Sequence, residues 1–153
     1  MDAITLLKND HRKVEKIFSQ IEKGGGDRDQ LFTELMTELT VHAEIEEKLF
    51  YPAVKNAKQT HDIVLESFEE HKQVKMVLAD LAKADKNTEH WLAGLKVLME
   101  DVQHHVGEEE DELFPKVKDK VLSEQELKDL GTRMEEMKTR ELAAAKKLSL
   151  IHI

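Results

Sequence analysis

Apolar residues return along this chain at alternating three- and four-residue steps, the spacing that gives an α-helix one buried face. The first such stripe is Ile4, Leu7, His11, Val14, Phe18 and Ile21, and the second Leu31, Leu35, Leu39, His42, Glu46, Leu49 and Ala53. The third is Val64, Phe68, His71, Val74, Leu78 and Leu81, and the fourth Trp91, Leu95, Leu98, Val102, His105, Glu109 and Leu113. Punctuation separates them. Asp2 suits the N-cap of the first helix, Gly24-Gly25-Gly26 ends it, and Asp27 with Gln30 reads as a capping box for the second. Pro52 predicts a kink near the end of the second helix. The polar stretch Lys58-Gln59-Thr60 leads into the third, which runs to about Lys83, and Asn87 or Thr88 caps the fourth, with Pro115 near its end. Ser123 with Glu126 is another capping box, opening a fifth helix.

Short connections make consecutive helices antiparallel neighbours. The pattern therefore predicts an all-α protein: an up-down antiparallel four-helix bundle over residues 1–120, with an additional C-terminal helix over 121–153. That last helix carries a thinner stripe, Leu127, Leu130, Met134 and Met137, followed by Ala143-Ala144-Ala145. It packs on the bundle or mediates association, leaving a monomer or a homodimer open. Met36, Met76, Met99, Met134 and Met137 read as core filler.

Each of the four main stripes is interrupted by ionisable residues at the same relative place, and the interruptions repeat. Asp10-His11-Arg12-Lys13-Val14 matches Glu70-His71-Lys72-Gln73-Val74. His42, Glu46 and Phe50-Tyr51-Pro52 match His105, Glu109 and Leu113-Phe114-Pro115. The chain thus looks like one helical hairpin followed by a second copy. A His and a Glu four residues apart share a helix face. In an up-down bundle, His11, His71 and the two His–Glu pairs fall near one layer, on the order of 15 Å from one end.

Carboxylates in a bundle interior cost several kcal/mol each unless compensated, and a metal cation compensates them directly. Six N/O donors exceed one tetrahedral zinc. They suit two adjacent metals with bridging carboxylates, Fe first, with Zn or Mn as possible substitutes. His104 and Glu108 have the same spacing as His105 and Glu109, but His104 follows the polar face and His105 the apolar one. His61 is on the third stripe but far from the layer, near the helix start, and His90 and His152 have no partner pattern.

Composition narrows the field. The chain has 153 residues, enough for one domain with a real core, and no cysteine, which removes disulfides and thiolate metal sites. Its 23 basic and 32 acidic residues give a net charge of −9, which argues against nucleic acid or an anionic membrane as partner. No apolar run reaches the roughly 20 residues of a membrane span, and the N-terminus lacks a secretory signal, so a cytoplasmic location is expected. Glu-x-x-His, His-Glu-x-x-His, phosphate-binding loops and nucleophile elbows are all absent.

Asp10-His11, His42-x-x-x-Glu46, Glu70-His71 and His105-x-x-x-Glu109 resemble the hemerythrin-like family, the HHE cation-binding domain, over about residues 3–120. The resemblance implies a four-helix bundle holding two non-haem iron ions, carboxylate- and oxo-bridged. It makes His11, His42, His71 and His105 terminal ligands and Glu46 and Glu109 bridges. Oxygen-carrying members place a further His one turn after the first on the third helix, where this chain has Lys75. The site then lacks one nitrogen donor unless Glu70, Glu47, Tyr51 or a water replaces it. An inward-pointing Lys75 would favour anionic ligands. Asp10 and Glu70, each preceding a ligand His, are candidates to orient the His rings, although solvation is the role expected of both.

The implied function is handling or sensing of O2, peroxide or NO at the iron centre. The extra vacancy favours inner-sphere oxidation over stable, reversible oxygenation. The alternatives are an iron-storage or metal-homeostasis protein without turnover, and a metal-free helical interaction module.

Overall fold

Helices begin where a side-chain oxygen meets free amides. In the computed structural model, which describes the backbone of residues 1–151 and the side chains of residues 1–148, Asp2 accepts from the Thr5 amide and α1 spans Ala3–Glu22. Gly24 and Gly26 turn the chain at φ 73°, a conformation that favours glycine. Asp27 accepts from the amides of Asp29 and Gln30 and opens α2, Arg28–Ile45. After α3, Tyr51–Val54, comes α4, His61–Lys83. Thr88, not Asn87, caps α5, Glu89–Glu108, which is followed by the short α6, Phe114–Lys116. Ser123 and Glu126 exchange reciprocal capping bonds at the start of α7, Glu124–Ile151. His152 lies outside the described residues.

The chain is all-helical. α1 packs on α2 and α4 on α5, and contacts of α1 with α5 and of α2 with α4 close the bundle. No helix among the described residues is long and apolar enough to cross a membrane.

The two prolines act through the turns before them. A proline has no amide and its ring clashes with the carbonyl four residues back. A π turn, Glu46–Phe50, precedes Pro52, and another, Glu109–Leu113, precedes Pro115; the Tyr51 amide reaches back five residues to the Glu46 carbonyl and the Phe114 amide to that of Glu109. The helix absorbs one extra residue there, and its inward face slips by about 100°. The slip corrects the expected second stripe. Phe50, Tyr51 and Val54 are buried, Leu49 is half-buried and Ala53 is exposed. The second copy repeats the phase, with Leu113, Phe114 and Val117 buried.

Two apolar clusters result. One gathers residues such as Leu7, Ile45, Phe50, Tyr51 and Phe114 with Leu127, Leu130, Met134 and Met137 of α7, and the other gathers Phe18, Leu35, Leu78, Trp91 and Leu98. The ionisable layer lies between them. α7 therefore packs on the bundle. Its Gly131 sits so close to the start of α1 that an added Cβ would stand 2.3 Å from the Met1 carbonyl oxygen. Met76 corrects the reading of the methionines as core: it is 68% exposed, because α4 turns Val64, His71 and Leu78 inward and residue 76 away.

Candidate metal centre

His11, His42, Glu46, His71, His105 and Glu109 are all buried, and the two glutamates are wholly so. α1 supplies His11, α2 His42, α4 His71 and α5 His105, while the glutamates open the two π turns. One atom from each of His11, His42, Glu46 and Glu109 falls within 4.8 Å of the others, and so does one from each of Glu46, His71 and His105. The structure thus brings all six sequence-assigned residues together, in two groups that share Glu46.

All four imidazoles turn Nε2 inward. His11 Nε2 is 3.0 Å from Glu109 Oε1, His71 Nε2 is 3.1 Å from Glu46 Oε1, and His42 Nε2 is 3.2 Å from the same oxygen. His71 Nε2 and His105 Nε2 stand 3.2 Å apart. Two donors bound at right angles to one ion at ~2.1 Å are about 3 Å apart, so this crowding matches a shared cation. Two buried polar atoms, His42 Nε2 and Glu46 Oε2, make no hydrogen bond, His42 Nε2 facing Glu46 Oε1 at 3.2 Å in an alignment that forms none. Orphans of this kind are rare in a folded core, and a cation would satisfy both. The residues present fit a metal centre.

The outer nitrogens are fully used. Nδ1 of each imidazole meets a carboxylate from a neighbouring helix or π turn: Asp10 at His42 (2.9 Å), Glu70 at His105 (2.7 Å), Glu47 at His71 (2.9 Å) and Glu110 at His11 (2.6 Å). Such partners fix the tautomer and orient Nε2. The expectation that Asp10 and Glu70 are solvated is therefore corrected. Asp10 is 3% exposed, and each residue serves the His of the next helix, not the one it precedes. Glu47 holds His71 from outside. The role of Glu110 was missed, although an acid before His11 and His71 and after Glu46 and Glu109 in both copies is a signal the sequence carries.

Lys75 does not point inward. Its half-exposed side chain reaches Glu47 at 3.2 Å, because that carboxylate and solvent both lie outside the layer. Tyr51 enters instead, fully buried, donating to Glu109 Oε2 at 2.7 Å and lying 3.3 and 3.2 Å from the Nε2 atoms of His71 and His105. His104 is on the surface with Glu108 and Glu70, and His61 and His90 are exposed away from the layer. Beside the four imidazoles lies a cavity of about 50 Å³, walled chiefly by Val14, Leu39, Val74, Leu78, Val102 and Val106.

Burial opposes charge on His42, yet the Glu46 and Asp10 carboxylates outweigh it and push its pKa up to about 10. His71 and His105 are also raised, against their burial, by the carboxylates around them. Glu46 is held well below the usual carboxylate range despite its burial, chiefly by His42. Burial and the Glu46 charge push Glu109 upward. The two central carboxylates are thus split, Glu46 toward the ionised form and Glu109 toward the protonated one. Burial, reinforced by Glu109 and Glu46, pushes the Tyr51 phenol well above its ordinary value, which keeps its proton in place.

The family model for the hemerythrin HHE cation binding domain matches residues 2–117. A Nostoc protein named DNA nickase is 26% identical over 127 residues; the match covers 82% of this chain but only 36% of that protein's length. The uncharacterized Rv2633c protein of Mycobacterium tuberculosis is 26% identical over 137 residues, 88% of this chain and 83% of its own. The crystal structure of an HHE cation-binding domain-containing protein from Mycobacterium kansasii, an Rv2633c homolog, superposes with a TM-score of 0.84 at 27% identity, over 97% of this chain and 93% of that one.

Proposed function

This chain belongs to the hemerythrin HHE cation-binding family, and we propose that it holds two iron ions in its ionisable layer and uses them to handle or sense a small neutral ligand such as O2, NO or hydrogen peroxide. The observation that carries the reading is the convergence of four Nε2 atoms on Glu46 and Glu109, with His42 Nε2 and Glu46 Oε2 left without hydrogen bonds. His11, His42, His71 and His105 would hold the metals singly, and Glu46 and Glu109 would be shared. Iron supplies open positions for the ligand and electrons for its reduction.

The chain's own residues shape the rest. A cavity of about 50 Å³ is far below the ~300 Å³ of ordinary small-molecule sites, so only a ligand of a few atoms fits. Its wall is chiefly apolar and favours uncharged ligands. Lys75 borders the cavity, but its ammonium is paired with the Glu47 carboxylate, which offsets the charge it would offer an anion. Tyr51 holds its proton next to Glu109 and can share it in a hydrogen bond with an acceptor in the layer. The four outer carboxylates keep the imidazoles aimed. Iron storage is the weaker reading, because a cavity of about 50 Å³ leaves no space for a mineral beyond the six donors. DNA chemistry, suggested by the name of the Nostoc relative, is opposed by the net charge of −9.

Metal analysis after anaerobic iron loading is the test. The reading expects about two irons per chain and a visible spectrum that changes on adding NO. A folded chain that takes up no iron refutes it.

A further inference from the structure

We propose that α7 belongs to the metal-binding apparatus, with Lys138 as a positioning residue for His42 and so for one of the two metal positions; this rests on the metal-binding reading above. Nζ of Lys138 bonds Asp10 Oδ1, and the other oxygen of Asp10 accepts from His42 Nδ1 at 2.9 Å. Asp10 is 3% exposed and the Lys138 side chain 26%.

The arrangement has three counterparts. Arg12 bonds Glu110, which holds His11; Lys75 bonds Glu47, which holds His71; His104 approaches Glu70, which holds His105. Every inward-aimed imidazole is therefore backed by a carboxylate that is itself anchored from outside. In these three cases the anchor comes from the bundle. For His42 alone it comes from α7, beyond the residues 2–117 that the family model matches.

The register of α7 leads to this contact. Gly131 seats against the backbone of Met1–Ala3 with no room for a Cβ. Lys138 follows two turns later on the same face and arrives at Asp10, so α7 runs parallel to α1. A carboxylate with one oxygen anchored presents the other in a fixed direction. Without the ammonium, a buried Asp10 loses its counter-charge and the freedom of its side chain passes to the His42 ring. His42 belongs to the group with His11, Glu46 and Glu109, not to that with His71 and His105. Loss of Lys138 should therefore weaken one metal position and spare the other.

The experiment loads the full chain with Fe(II) and follows iron release to an excess of ferrous chelator. The parent should release both irons slowly. Lys138→Ala should release one of them about tenfold faster and the other at the parental rate, and Lys138→Arg should restore the slow phase. In the Co(II)-loaded protein, the shifted Nδ1 proton of a single imidazole should exchange faster in Lys138→Ala, which a general loosening would not produce. Release of both irons at the parental rate, equal acceleration of both, or an Arg variant as fast as the Ala variant overturns the proposal while leaving the metal-binding reading intact. A parent chain that binds no iron overturns both.

Discussion

Tyr51→Phe removes one oxygen from the middle of the bundle and keeps the ring. The ring packs at centroid distances of 5.3 Å on Phe68 and 6.0 Å on Phe50, so the substitution opens no cavity among these neighbours. What goes is the 2.7 Å bond to Glu109 Oε2, between two side chains sealed from solvent. Because Glu109 is pushed toward its neutral form, the bond itself contributes about 0.5–1.5 kcal/mol, and a buried acceptor left without its donor costs about 1–3 kcal/mol. The metal-free variant should thus be about 1–3 kcal/mol less stable. At ~2–4 °C per kcal/mol for a chain of this length, that lowers Tm by about 2–12 °C. Urea unfolding of the metal-free protein at pH 7 measures it, as a lower midpoint at unchanged slope. Iron uptake should be unchanged, because the hydroxyl acts as a proton-holding donor to Glu109 and is not one of the six converging donors. A variant as stable as the parent would refute the assigned bond; one that folds but loses iron would show the oxygen to be a ligand.

Three further outcomes follow from the same geometry. His105→Ala should lower bound iron sharply, because a buried inward Nε2 is lost, whereas His104→Ala, at a side chain 67% exposed, should leave iron content near the parental value; metal analysis of the two variants reversed would refute the assignment. Gly131→Ala should destabilise by about 1–3 kcal/mol through overlap with the α1 backbone, while Gly107→Ala, with nothing within 4 Å of its added Cβ, should stabilise by up to about 1 kcal/mol; equal signs in thermal melts would contradict the docking of α7. The metal-free protein should be most stable near pH 5–6.5. His42, raised to about 10, and the raised His71 and His105 contribute stability that is complete below the unfolded value of ~6.5 and is lost as pH climbs toward about 10. The lowered Asp10, Glu46, Glu47 and Glu70 contribute stability that is present above ~4 and disappears as pH falls further. Melting temperatures that rise between pH 6.5 and 9 would be inconsistent with these shifts.

Helical period and capping are local properties, and the sequence alone was enough for them. The three- and four-residue steps located the helices, Asp2, Asp27, Asn87 or Thr88, and Ser123 marked starts, with the structure deciding for Thr88, and the His–Glu spacing put His42 with Glu46 and His105 with Glu109 on single faces. The same phase argument separated buried His105 from exposed His104. Counting from helix ends even brought six residues to one layer, because straight helices rise by a constant amount per residue.

Tertiary structure decided what crosses between helices or interrupts one. The π turns before Pro52 and Pro115 shift the inward face by one residue, which turns Tyr51 and Val54 in and Ala53 out; an unbroken periodicity cannot reveal an inserted residue. That Asp10, Glu47, Glu70 and Glu110 each hold the outer nitrogen of an imidazole shows only once the packing of neighbouring helices sets each carboxylate against its ring. The seat of Gly131 on the Met1–Ala3 backbone, and the reach of Lys138 to Asp10, depend on how α7 lies across α1. A one-dimensional pattern reports which side of a helix is buried, but the partner that meets that side is set only when the helices pack.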